Sequence, residues 1–193
     1  MLSYNQFLLE SKNSKEIIVY HVSNSLDHML KSDFRLEYAR DLALFGKAIY
    51  FSTSPDIYYK PSSENKIYKC KFSIIPEEPM LDLNSKITVL EANNMLKDFI
   101  SWFKIDDVIL DRYKFNKNFK THLQYGDFFE KIASLCSWDH NKYFNTFIQK
   151  YLGFNSFKHY QTGWTDFSQE KTDYGTAYGL YNPKNIKYID GPF

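Results

Sequence analysis

The chain has 193 residues, enough for one domain with a sizeable core, and its 44% hydrophobic and 24% charged content excludes disorder by composition. Its 24 basic residues stand against 23 acidic ones, and a net charge of +1 argues against a protein that grips duplex nucleic acid by neutralising phosphates. The unusual feature is aromatic content, with 17 Phe and 16 Tyr, most of which read as core filling in a chain built from AT-rich codons.

Ser3 followed by Gln6 reads as a capping box for a short helix over about residues 4–11, with Phe7 and Leu8 buried. This N-terminal stretch lacks the charged and long apolar regions of a signal peptide. No run approaches the roughly 18 apolar residues of a membrane span. The two cysteines, Cys70 and Cys136, are far apart and form no CxxC pair. No zinc ligand set and no membrane partner are expected, and a reducing cytoplasm is the default setting.

Ile17 to Ser23 is β-branched and apolar and predicts a buried strand. Leu26 to Leu30 predicts a short helix, and Phe34 to Phe45 one or two amphipathic turns closed by Gly46. Lys47 to Thr53 predicts the second strand. Lys66 to Ile74 predicts the clearest one, with Tyr68, Cys70, Phe72 and Ile74 on one face. Pro76 and Pro79 then break the chain.

The middle reads as helical. Thr88 with Glu91 forms a capping box ahead of Ala92, Met95, Leu96, Phe99, Ile100 and Phe103 at helical spacing. Val108 to Leu110 reads as a short strand. Asp127 is expected to cap a second helix carrying Phe128, Ile132 and Leu135. Asp139 is expected to start a third, carrying Tyr143, Phe144, Phe147, Ile148 and Tyr151 and stopped by Gly153. Strands return at Ser156 to Gln161, Thr176 to Tyr181 and Asn185 to Ile189, with Asn182-Pro183 as the last turn.

Strands, then helices, then strands is not the alternation of a doubly wound sheet. The expectation is one α+β domain over residues 1–193, with a split sheet and a helical insertion at about 85–150. No GxGxxG, GxxxxGKS/T, HExxH or GxSxG is present, so the usual dinucleotide, P-loop, zinc-protease and hydrolase chemistries have no support. The five histidines, His21, His28, His122, His140 and His159, show no metal-ligand spacing, and no metal is expected.

One pairing stands out. His21 lies inside an apolar strand, in Tyr20-His21-Val22-Ser23, where an imidazole needs a partner. About 25 residues on comes Gly46-Lys47-Ala48-Ile49-Tyr50-Phe51-Ser52, with Tyr58 and Tyr59 eight and nine positions after Tyr50. The later stretch reads Gly153-Phe154-Asn155-Ser156-Phe157, then Ala177-Tyr178-Gly179-Leu180-Tyr181-Asn182-Pro183-Lys184-Asn185-Ile186-Lys187. Together these resemble the ADP-ribosyltransferase fold of the diphtheria-toxin and poly(ADP-ribose) polymerase class, including its relatives in bacteriophage proteins. There the first strand carries a YHGT-like motif, the second G-x-G-I-Y-F-S/A/T, and the end G-Y/F-D-x-I/V and E-Y-V-V-F-D/N-P-x-x-I-K. The resemblance covers about residues 17–80 and 153–189.

The resemblance implies a split antiparallel sheet and NAD as co-substrate. It implies that His21 hydrogen-bonds a ribose hydroxyl of NAD, with Ser23 helping and Val22, Phe51 and Ser52 lining the pocket. It implies that Tyr50 stacks on nicotinamide, with Tyr58 or Tyr59 on the other face. Tyr rings suit that work, having flat apolar area and a polar tip. The family's third position is often a glutamate, which the resemblance implies would hydrogen-bond the nicotinamide ribose, and here that slot is Ala177. Asp173 and Glu170 lie upstream, and Asp173 is taken as the third catalytic candidate beside His21 and Tyr50.

The expected function is mono-ADP-ribosyl transfer to a protein acceptor or other macromolecule, as a phage effector in the bacterial host cytoplasm. The alternatives are a degenerate fold acting as a binding or inhibitor module, and a phage structural protein. The plainer readings of the same residues are a core His21 bonded to a backbone carbonyl and a Tyr50 packed as part of the sheet. Lys66, Lys69 and Lys71 read as a solvated strand face or as a contact for the NAD pyrophosphate. Trp164 and Asp166 read as part of a target-recognition loop or as an ordinary anchored turn.

Overall fold

The computed structural model describes residues 15–38, 45–55, 67–105, 114–116, 123–135, 143–163 and 172–193. Among these the strands are β1 (Ile17–Ser23), β2 (Ile49–Ser52), β3 (Tyr68–Ile74), β4 (Met80–Asp82), β5 (Lys86–Ile87), β6 (Leu123–Gln124), β7 (Ser156–Gly163), β8 (Thr172–Leu180) and β9 (Ile186–Asp190). Seven of them form one sheet in the order β4-β7-β8-β2-β1-β3-β9, and β5 pairs with β6 separately. Neighbours in the large sheet are antiparallel except β4 and β7. The helices are α1 (Leu26–Leu30), α2 (Val89–Phe103), α3 (Tyr125–Leu135) and α4 (Phe144–Thr146), the last running on as a π-helical turn, Phe147–Tyr151. The architecture is α+β, as the element order predicts.

Local chemistry explains most boundaries. At the start of α2 the Thr88 hydroxyl accepts from the Glu91 amide at 3.1 Å, and the Glu91 carboxylate accepts from the Thr88 amide at 2.7 Å. This reciprocal cap satisfies donors that the first turn leaves over and is worth about 1 kcal/mol. Ala92, Met95, Leu96, Phe99 and Ile100 are buried as their spacing requires, and Phe103 is half-buried.

The cap of α3 differs from the expectation. Asp127 lies within the first turn, two residues after the helix begins, and its carboxylate reaches back to accept from the Gln124 amide at 3.0 Å. It is the returning half of a cap rather than its first residue. Gly153 takes the positive φ, 78°, expected of a glycine that ends a helical segment. Gly46 stands at a φ of 86°; of the turns expected over Phe34 to Phe45, a 3-10 turn at Leu36–Tyr38 is described, and residues 39–44 lie outside the described residues. The expected helix over residues 4–11, the strand at Val108 to Leu110 and the helix start at Asp139 lie outside the described residues.

The buried residues form two clusters. The first joins α2, α3 and the π turn to Phe45, Leu81, Leu83 and Phe157. The second joins β1, β2, β3, β8 and β9 to Met29 and Phe34. β2 feeds both, sending Ile49 and Phe51 into the second cluster and the Tyr50 ring against the first. That double burial is why its sequence is a continuous apolar run rather than an alternating one. Cys70 is a free, buried thiol. No described helix is long and apolar enough to cross a membrane.

Candidate functional site at the split between β1 and β2

The two motif strands are neighbours, but they barely pair. β1 runs in register with β3 over seven pairs, and β2 with β8 over four, while β1 and β2 share the single pair Tyr20 and Ser52. The sheet is therefore most sparsely paired at its middle, between the strand that carries His21 and the strand that carries Tyr50.

His21 spans this sparse pairing. Its Nδ1 stands 2.7 Å from the carbonyl oxygen of Tyr50. A carbonyl only accepts, so Nδ1 carries the proton and Nε2 keeps a lone pair. No described residue hydrogen-bonds Nε2. The ring lies against Phe34, Phe51 and Phe72, at 5.1, 5.3 and 6.4 Å between centroids. Burial among these rings lowers the pKa from 6.5 to about 4, against the bond to Tyr50, which raises it, and with a small lowering from His28. At neutral pH the imidazole is thus an uncharged acceptor with a fixed tautomer.

This has a consequence for stability. The unfolded chain takes up a proton on His21 near pH 6.5, while the folded chain resists until about pH 4. Stability contributed by the neutral ring is full above pH 6.5 and is lost as pH falls through that window. The loss amounts to about 3 kcal/mol at most. Urea unfolding across the window should show it, and His21→Phe should flatten the profile. An equal pH dependence for both proteins would disprove the assignment.

Tyr50 is fixed from the sequence just before it. Its hydroxyl donates to the Gly46 carbonyl at 2.7 Å, and its ring meets Phe157 edge-on at 5.7 Å. Burial raises the phenol pKa, so the group stays protonated. The Tyr50 and His21 rings enter different core clusters, and what joins the two residues is the Tyr50 carbonyl.

The remaining residues are distributed as follows. Ser52 is buried, with its hydroxyl accepting from the Ser54 amide at 3.1 Å. Ser23 accepts from the Ser25 amide at 3.1 Å, and Val22 is half-buried opposite Lys69. Phe51 is buried in the second cluster. Lys69 donates to the Pro55 carbonyl at 2.9 Å, which ties the end of β2 to β3, and Lys71 lies opposite Tyr20. Asp173 is on β8 opposite Thr162, four residues before Ala177, up to about 13 Å along an extended strand. Tyr58, Tyr59, Lys66, Trp164, Asp166 and Glu170 lie outside the described residues.

Ala177 occupies the next strand over. It stands opposite Ser52 on β2 and opposite His159 on β7. The backbone just before it is clamped to β2, with the Thr53 amide donating to the Thr176 carbonyl and the Thr176 amide to the Thr53 hydroxyl, at 3.0 and 2.9 Å. Gly175, at a φ of 69°, permits this approach, since a β-carbon there would come within 2.4 Å of the Thr53 hydroxyl.

Two polar groups that sequence reasoning passed over belong to the same region. Nδ1 of His159 and the hydroxyl of Tyr181 are buried with no hydrogen-bond partner among the described residues. Leaving such a group unmade costs about 1–3 kcal/mol. The available signal was a histidine inside the otherwise strand-forming Ser156-Phe157-Lys158-His159-Tyr160, the same signal that singled out His21. Among the described residues no cluster of three or more His, Cys, Asp or Glu side chains could hold a metal ion.

No family model and no curated protein matches the chain. A solved structure described as the crystal structure of an anti-CRISPR protein aligns with 91% of this chain and 97% of its own. The two are 11% identical, with a TM-score of 0.33, a likeness too slight to carry an argument about fold or activity.

Proposed function

We propose that the chain is an NAD-dependent mono-ADP-ribosyltransferase with a split sheet of the ADP-ribosyltransferase type, acting on a protein or other macromolecule of a bacterial host as a phage effector. The observation that carries this reading is the His21 bridge to the Tyr50 carbonyl at the sparsely paired middle of the sheet. The two motif residues most specific to the resemblance meet there, although the ladder between their strands has almost gone.

The chain's own groups fit such a task. The Nε2 lone pair of His21 accepts from a ribose hydroxyl, and its fixed tautomer needs no reorganisation to do so. Tyr50 offers a flat ring held by Gly46, and Val22, Ser23, Phe51 and Ser52 complete the two banks. NAD would supply the ADP-ribosyl group: the glycosidic bond breaks with its electrons leaving on nicotinamide, and a nucleophilic atom of the acceptor forms the new bond at that ribose carbon and gives up its proton to water. Holding the ribose and the ring apart favours the strained state in which that bond breaks, which is the state worth stabilising.

A second reading rests on Ala177, which carries no acid at the third position. On this reading the fold binds NAD or a host protein without turnover, as an inhibitor module.

Incubation of the purified chain with labelled NAD and a bacterial lysate separates the two. The transferase should release nicotinamide and label an acceptor. No nicotinamide and no labelled product at high protein concentration would overturn the first reading, and NAD binding without release would favour the second.

A further inference from the structure

The third motif position is empty of polar groups, but the residue across the ladder from it is not inert. Ser52, Ala177 and His159 are mutually opposed on β2, β8 and β7 and form one row on one face of the sheet. Directly opposed β-carbons lie roughly 4.5–5.5 Å apart. In that row the Ala177 position lies between those of Ser52 and His159.

The imidazole is held on two sides. The Phe45 ring meets it edge-on at 5.0 Å, and the first turn of α3 closes over it at Gly126. A β-carbon on Gly126 would come within 3.5 Å of Nε2. The charged groups that face the ring are Asp82 on β4 and Asp127 on α3. Both are engaged elsewhere, Asp82 with Lys158 at 3.2 Å and Asp127 with the Gln124 amide at 3.0 Å. Nδ1 has no hydrogen-bond partner among the described residues. Burial lowers the His159 pKa against the pull of both carboxylates, which keeps the ring neutral.

We infer that His159 takes over, from β7, the hydrogen-bonding role for which Ala177 has no group, accepting a ribose hydroxyl when the dinucleotide is bound. The inference rests on the transferase reading given above. Its physical basis is that the folded chain leaves a bond unmade at this place, and a hydroxyl donor of the ligand completes it. What folding forgoes, binding gains. A purely architectural histidine would instead have its nitrogens satisfied within the fold.

The test compares His159→Leu, which removes the nitrogens, with His159→Asn, which keeps an acceptor near the place of Nδ1. Thermal unfolding, NAD binding by calorimetry and nicotinamide release are measured on each. His159→Leu should melt at or above the wild-type temperature, because it removes an unsatisfied polar group. It should lose about tenfold in nicotinamide release. His159→Asn should keep most of the activity, and Ala177→Glu added to His159→Leu should restore part of it. Wild-type turnover in His159→Leu would overturn the inference. So would a lowered melting temperature with parallel loss in both variants, which is the mark of an architectural role. A wild-type chain that neither binds nor cleaves NAD would overturn the transferase reading itself, and this inference with it.

Discussion

Replacing His21 by asparagine should leave the fold standing and remove nicotinamide release by on the order of a hundredfold. Asparagine can still donate from near the Nδ1 position to the Tyr50 carbonyl, so the bridge across the sparsely paired strands survives. What it lacks is the acceptor at Nε2. His21→Ala should lose the same activity and also destabilise the chain by about 2–4 kcal/mol. That change leaves the Tyr50 carbonyl unpaired and opens a cavity among Phe34, Phe51 and Phe72. The pair separates the two duties of one ring. Nicotinamide release at the wild-type rate from a folded His21→Asn protein would show that Nε2 has no part in the chemistry.

The second large effect is expected at Gly179. It sits on β8 between Tyr50 and Phe157, opposed to both. A β-carbon there would come 2.0 Å from the Phe157 ring, which is fully buried and packed on Phe45, Tyr50 and Tyr181. The ring has nowhere to go, so Gly179→Ala should cost about 3 kcal/mol or more. Phe157→Ala alone is also costly, at about 3–5 kcal/mol. Their combination should cost much less than the sum, because the alanine methyl enters space that the ring vacates. Thermal or urea unfolding of the four proteins measures this. Additive losses would show that the ring does not lie over the glycine. Because Tyr50 leans on the same ring, the single Gly179→Ala change should also weaken NAD binding.

Much of the fold was legible where local chemistry and burial agree. β1 runs over the residues its β-branched pattern predicts, and the Thr88 cap of α2 is present with both of its hydrogen bonds. β8 begins at Thr172, four residues before its expected start at Thr176. Its early residues carry no apolar alternation, and pairing with β7, not propensity, extends the strand. β4 was missed for the same reason. Met80-Leu81-Asp82 is short, follows Pro79, and becomes a strand only by lying parallel to β7.

The candidate site was legible in part. The imidazole of His21 inside an apolar strand announced that it had a partner, and the partner is a backbone carbonyl, which has no residue letter of its own. That the two rings of His21 and Tyr50 enter different core clusters depends on how β2 is shared between them, and no single-strand pattern records it. His159 carried the same signal as His21 but went unread, because its importance comes from facing Ala177 across a ladder.

The strand order has one more implication, for the chain as it is made. β2 has two neighbours: β1, which precedes it by some thirty residues, and β8, which follows it by more than a hundred. A chain leaving the ribosome therefore holds the Tyr50 strand with one bare edge until Leu180 has emerged. Pairings so distant in sequence close slowly. Truncation before Thr172 removes Ala177 and strips β2 and β7 of a shared partner at once. Translation thus withholds the β2–β8 ladder until Leu180 is out, so a chain clipped before Thr172 keeps β1 and β2 without the strand that joins β2 to β7.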